Sequence, residues 1–154
     1  MNDFFKAFDY AWQGIVHTVK TQRNFRFHIV AAVYVTAFSL FYELTRGEYV
    51  LLALTFSSVM SAELINTAIE AAIDLCSPEH HKLAKLAKDA AAGAVLVTAI
   101  FAVAVGVLLF GDIAVIKEIF RYYCSHILAL VGLICSFGAA WVFVFVPSKN
   151  KCIK

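Results

Sequence analysis

Four stretches of this chain carry no charged side chain: residues 27–42, 49–62, 90–111 and 122–148, of 16, 14, 22 and 27 residues. In water such runs need a core to hide in, and 154 residues are too few to supply it, because small domains bury the smallest share of their surface. The chain is 62% hydrophobic and only 16% charged, against about 25% charged in soluble domains. The surplus apolar surface must face lipid, which sets aside disorder, a secreted disulfide scaffold and an ordinary soluble enzyme. A net charge of +2 leaves no nucleic-acid footprint. Cys76, Cys124, Cys135 and Cys152 form no CxxC pair, so neither a zinc clip nor a disulfide framework is indicated.

The expected fold is an all-α integral membrane protein. A span needs about 20 residues to cross about 30 Å of hydrocarbon. Residues 90–111 and 122–148 meet that length; 27–42 is extended by snorkelling of Arg26 and Glu43, and 49–62 runs on into a polar helical stretch. Ahead of these, Phe4, Phe5, Phe8, Trp12, Ile15 and Val19 form one apolar helical stripe. It predicts an amphipathic helix over residues 3–22, on the membrane surface or against the bundle. No secretory cleavage signal is expected there.

Lysine and arginine set the topology. Ten of the 13 fall in the N-terminal segment, the loop after the second span and the C-terminal tail; Arg46, Lys117 and Arg121 fall in the other two loops. This predicts four spans with both termini and the loop near residues 76–89 in the cytoplasm. Ala90, Ala94, Thr98, Ala102 and Gly106 recur every fourth residue and read as a close-packing stripe. Pro78 and Pro147 lie where spans have ended.

The second span is the anomaly. In SAELINTAIEAAIDL, Glu63, Asn66, Glu70 and Asp74 fall within roughly 80° of arc at about 100° per residue. Acidic groups at membrane depth are expensive and mark function. Several on one flank call for a cation between them, and hard divalent metals take such oxygen ligands. Starting near Tyr49, a rise of about 1.5 Å per residue puts Glu63 about 21 Å down, just inside the far boundary, with Glu70 at or beyond it. A lipid hydroxyl sits at that depth. The following loop, CSPEHHKLAKLAKDAAAGA, brings Lys82, Lys85 and Lys88 beside the carboxylates. Lysine neutralises phosphate while carboxylates hold the metal that bridges phosphate oxygens, although Lys82 and Lys85 also serve as membrane anchors. Ser77 and Pro78 read as a helix start. The chain has no GxxxxGK[ST], kinase Gly-rich loop, HRD, DFG, GxSxG or HExxH sequence.

AELINTAIEAAIDL followed by KLAKDAAAGAVL, with YAWQG and RNFRFH upstream, resembles the small prokaryotic diacylglycerol kinase and undecaprenol kinase family, over roughly residues 4–111. The resemblance implies transfer of the γ-phosphate of MgATP to a membrane lipid alcohol, in a homotrimer of three-span subunits that share active sites, in a bacterial cytoplasmic membrane. It implies that Glu63 is the catalytic base with Asn66 beside it, and that Glu70 and the position of His28 serve the metal. Tyr10, Glu70, Glu79, His81, Lys88 and Asp89 are implied as nucleotide contacts, and Glu63 and Ala92 as lipid contacts. His28 stands where the diacylglycerol-specific branch has a glutamate, and the RNFRFH form is similar to the branch that favours undecaprenol over diacylglycerol. Residues 1–111 thus read as a kinase core. Residues 112–154 read as one extra transmembrane helix, a packing or anchoring element, with a basic tail. A small proton-coupled transporter and an inactive scaffold are the competing classes; the lysines facing the acids favour the kinase.

Overall fold

The computed structural model describes residues 2–76 and 81–146, folded into six helices. These are α1 (Asn2–Thr21), α2 (Arg23–Ser39), α3 (Arg46–Cys76), α4 (Lys82–Phe110), α5 (Ile113–Ser125) and α6 (Ile127–Phe145), and no strand occurs among the described residues. By length and composition α3, α4 and α6 suffice to cross a membrane. At 17 residues α2 is shorter than a full span; it lies against both α3 and α6. The all-α membrane architecture expected from the sequence is the one observed.

Local chemistry explains where the helices begin. Thr45-Arg46-Gly47-Glu48 is a capping box: Glu48 accepts from the Thr45 backbone N–H at 2.6 Å, and the Glu48 N–H donates to the Thr45 hydroxyl at 3.4 Å. α5 starts behind Asp112, whose carboxylate accepts from the Ala114 N–H at 2.8 Å. α1 carries Asp3 in its first turn and Lys20 in its last, complementing the helix dipole. Its break from α2 is a single extended residue, Gln22.

The α4 start differs from the expected one. His81 is the cap, its Nδ1 accepting from the Leu83 N–H at 3.2 Å, and the start expected at Ser77 and Pro78 lies outside the described residues. A second difference concerns the run 122–148, read from the sequence as one span. At His126 the backbone leaves helical geometry (φ −121°, ψ 82°), so Tyr122–Ser125 belong to α5 and the apolar helix proper begins at Ile127. α5 is amphipathic, with Ile116, Ile119 and Tyr123 spaced along one face and Lys117 and Arg121 off it.

The helices run up and down between two ends. At one, α1 meets α2, and the last turn of α3 lies by the first of α4: Lys88 on α4 pairs with Asp74 on α3. At the other, the Tyr42 hydroxyl donates to the Phe110 carbonyl at 3.0 Å, and Phe41 packs edge-on against Tyr122. α3 and α4 form the main seam. Little of the chain is buried: Phe25, Leu52, Val59, Ala91 and Val144 are the buried apolar residues, while side chains such as Phe101 and Leu108 stand outward. Such a surface belongs in lipid or against other subunits.

Ala91 and Gly106 therefore respond differently to added volume. Ala91→Leu overfills a buried position and should cost about 1–3 kcal/mol, read as a lower melting temperature in detergent. A methyl added at Gly106 meets open space, so Gly106→Ala should leave stability unchanged or raise it by up to about 1 kcal/mol, read as an equal or higher melting temperature.

Candidate functional site

The inward stripe of α3 changes chemistry along its length. Leu52, Val59 and Glu63 are its buried residues, and Asn66, Glu70 and Asp74 continue the same line at three- and four-residue steps. Burial falls off along it: Glu63 is 3% exposed, Asn66 and Glu70 are half-buried, and Asp74 is open. The helix thus carries one apolar-to-acidic track from membrane depth toward water.

α2 supplies the partners of Glu63. His28 Nε2 stands 3.8 Å from Glu63 Oε1, and the Asn24 side chain acts on the same carboxylate, as does Glu70 from two helical turns away. Asn24 and His28 are four residues apart, hence on one face of α2. Oε1 of Glu63 and Oδ1 of Asn66 are buried with no hydrogen-bond partner among the described residues. The Asn66 Nδ2 donates to Glu70 Oε1 at 2.9 Å, which fixes the amide so that its free oxygen points away from Glu70. Two orphaned buried oxygens beside a carboxylate form a hard-donor set, suited to magnesium more than to a soft metal.

That set is partial. Among the described residues no three histidine, cysteine or acidic side chains converge as a metal cage. His28 is placed beside Glu63, and Glu70 is engaged with Asn66. At the open end the Lys88 ammonium is paired with Asp74, joining α4 to the acidic track.

The other expected residues among those described lie on α1 and at the start of α4. Tyr10 is exposed on α1, His81 caps α4, and Asp89 and Ala92 are exposed on the first turns of α4. Glu79 lies outside the described residues. One polar neighbour of Glu63 was not anticipated from the sequence: Asn24, whose signal was its four-residue spacing from His28 on the helix facing α3.

The comparisons with known proteins fall on this same part of the chain. Residues 9–110 match the family described as prokaryotic diacylglycerol kinase. The chain belongs to that family. It is 46% identical over 110 residues to the undecaprenol kinase of Bacillus subtilis, covering 71% of this chain and 89% of that protein. It is 48% identical over 101 residues to a diacylglycerol kinase of Synechocystis, covering 65% of this chain and 58% of the relative. With the diacylglycerol kinase of Escherichia coli K12 it shares 34% identity over 98 residues, 64% and 80% of the two chains. The family region contains α2, α3, α4 and nearly all the candidate site, and it ends before α5 and α6.

The Lys88–Asp74 pair is exposed on both sides, at 35% and 67%. Asp74→Asn should therefore change thermal stability by less than about 1 kcal/mol, measured by melting in detergent, while freeing the lysine ammonium for another anion.

Proposed function

We propose that this protein is a lipid kinase that moves the γ-phosphate of ATP to the hydroxyl of a membrane alcohol, with undecaprenol preferred to diacylglycerol. One observation carries the reading: a buried carboxylate with a free oxygen at the deep end of a track whose shallow end holds carboxylates and a lysine. A greasy alcohol approaches such a site from the bilayer, and a polyphosphate from water. Next to His28 and Val59, an apolar cavity of about 290 Å³ between α2, α3 and α4 offers room for part of a hydrocarbon chain.

In this reading the substrate hydroxyl donates a hydrogen bond to Glu63 and gives up its proton there as its oxygen bonds to the γ-phosphorus and the bond to ADP breaks. A carboxylate withdrawn from water is a stronger proton acceptor. Asn66 orients the hydroxyl or a phosphate oxygen through its free Oδ1. Lys88 exchanges Asp74 for the phosphates and offsets their charge, with Asp89, Tyr10, His81 and Glu79 as further nucleotide contacts. Glu70 would hold magnesium, which would supply charge neutralisation at the transferred group. His28, a poorer magnesium ligand than a carboxylate, serves the metal only from beside Glu63.

The family resemblance, with residues 9–110 matched, supports a homotrimer whose subunits share active sites. The lysine and arginine distribution supports a bacterial cytoplasmic membrane location with both termini and the site on the inner face. The preference for undecaprenol rests on His28 and the RNFRFH form of the sequence around it.

Purified protein in nanodiscs, given labelled ATP with undecaprenol or diacylglycerol in parallel, should label undecaprenol faster. No label in either lipid, together with substrate-driven proton flux in liposomes, would favour a transporter instead. Glu63→Gln should lower turnover by about 10²–10⁴-fold without changing the oligomer seen by size-exclusion chromatography. Glu70→Ala should raise the magnesium concentration needed for half-maximal rate, or abolish turnover.

A further inference from the structure

We propose that the α5–α6 extension, which lies beyond the family region, is a clamp on the active site, and that Arg26 is the positioning residue through which it acts. The inference rests on the lipid-kinase reading and concerns how Glu63's neighbours are held.

Arg26 is a buried cation, 6% exposed, with no carboxylate partner among the described residues. Its guanidinium instead gathers the ends of two helices. Nη1 reaches the Val19 and Lys20 carbonyls in the last turn of α1, at 3.4 and 3.3 Å. Nη2 donates to the Val144 carbonyl in the last turn of α6, at 2.9 Å. Carbonyls in the last turn of a helix carry the negative end of its dipole and are the ones a helix leaves without internal donors, so one positive group serves both ends at once. The bond to α6 is the shortest of the three. Arg23 stands over the Phe145 ring at 5.7 Å and adds to the same fastening.

A second fastening lies farther along. The Tyr34 hydroxyl donates to Ser136 Oγ at 2.9 Å, and the Tyr34 and Phe137 rings stack at 4.8 Å. Eight residues separate 26 from 34, and eight separate 144 from 136. Both contacts therefore belong to one antiparallel register of α6 on α2. Along the same seam, from Ile29 to Phe41 on α2, the helices leave an apolar cavity of about 930 Å³, so contact area alone does not set that register.

The first turns of α2 face two ways. Asn24 and His28 share the face toward Glu63, while Arg26, two residues from each, is about 200° around the helix and holds α6. Anything that loosens the Arg26–Val144 contact frees α2 to shift the groups beside Glu63, and displacement by about 1 Å is enough to cost up to about 10²-fold in rate.

The test uses full-length protein in nanodiscs with ATP and the lipid alcohol that wild type accepts. Arg26→Ala is expected to lower kcat about tenfold or more with KM for ATP and lipid within about twofold, and Arg26→Lys to recover part of the loss. On α6, far from Glu63, the double variant Ser136→Ala/Phe137→Ala is expected to lower kcat in the same sense. Combined with Arg26→Ala it should fall short of the product of the two effects, as residues acting through one element do. In protein labelled at histidine nitrogen, the His28 ring resonances should move in both variants. A rise in KM with kcat unchanged would make Arg26 a substrate contact and overturn the clamp. So would a folded α6 variant with wild-type kcat, or His28 resonances that stay in place. Wild type inactive on every lipid, with the His28 resonances responding as expected, would sink the kinase reading and leave the clamp standing.

Discussion

A carboxylate inside a membrane-spanning helix must be held by something other than water, and most of this structure follows from that demand at Glu63. At 3% exposure it has lost its solvation, which is costly unless polar groups replace it. α3 alone cannot provide them, since its own next acid, Glu70, repels. The polar groups come from α2, through His28 at 3.8 Å and Asn24. This requires α2, a helix shorter than a full span, to be kept at a definite height and rotation against α3. Lipid gives little help, because the apolar faces of α2 and α3 gain nothing from leaving hydrocarbon for each other. Polar and aromatic contacts at the helix ends must do the holding, and they are found there: the Arg26 carbonyl contacts at one end, and Tyr42 on the Phe110 carbonyl at the other.

The same demand explains the order of residues along α3. A uniformly acidic face would be unaffordable at depth, and a uniformly apolar one would have no use for ATP. The stripe instead passes from Leu52 and Val59 to a single buried acid, then to a half-buried amide–acid pair, and only then to an exposed ion pair. Each step adds charge where more water is available to pay for it. The two buried oxygens left without partners among the described residues lie in the middle of this gradient, between its apolar and its charged end.

How much of this the sequence discloses depends on the range of the interaction concerned. The acidic track is a matter of period within one helix, and Glu63, Asn66, Glu70 and Asp74 reveal it by spacing alone. The membrane class follows from composition in the same direct way. Three features stay hidden for physical reasons. The break at His126 has no proline or glycine to announce it; the backbone departs from the helix at a residue that most contexts would leave helical. The His81 cap is a ring nitrogen accepting from the Leu83 N–H, and histidine is not among the residues whose propensity marks a helix start. The Arg26–Val144 bond joins residues 118 positions apart, and a carbonyl acceptor carries no residue identity at all, so nothing in the letters V144 could mark it.

The extension beyond the family region illustrates how a membrane protein acquires a new part. α6 is the most apolar of the six helices, and by hydrophobicity alone it would float free in the bilayer. Its attachment uses small residues facing α2, among them Ala129, Gly132, Ser136 and Ala140, which let the two helices approach without filling the seam. A loosely filled apolar seam is permissive of sliding, so position is decided by the few directional contacts, one hydroxyl–hydroxyl bond and one guanidinium–carbonyl bond eight residues apart. The guanidinium sits on the turn of α2 that also bears Asn24 and His28. A helix anchored to that cation is therefore fastened next to the buried Glu63 carboxylate, and becomes part of how that carboxylate is held.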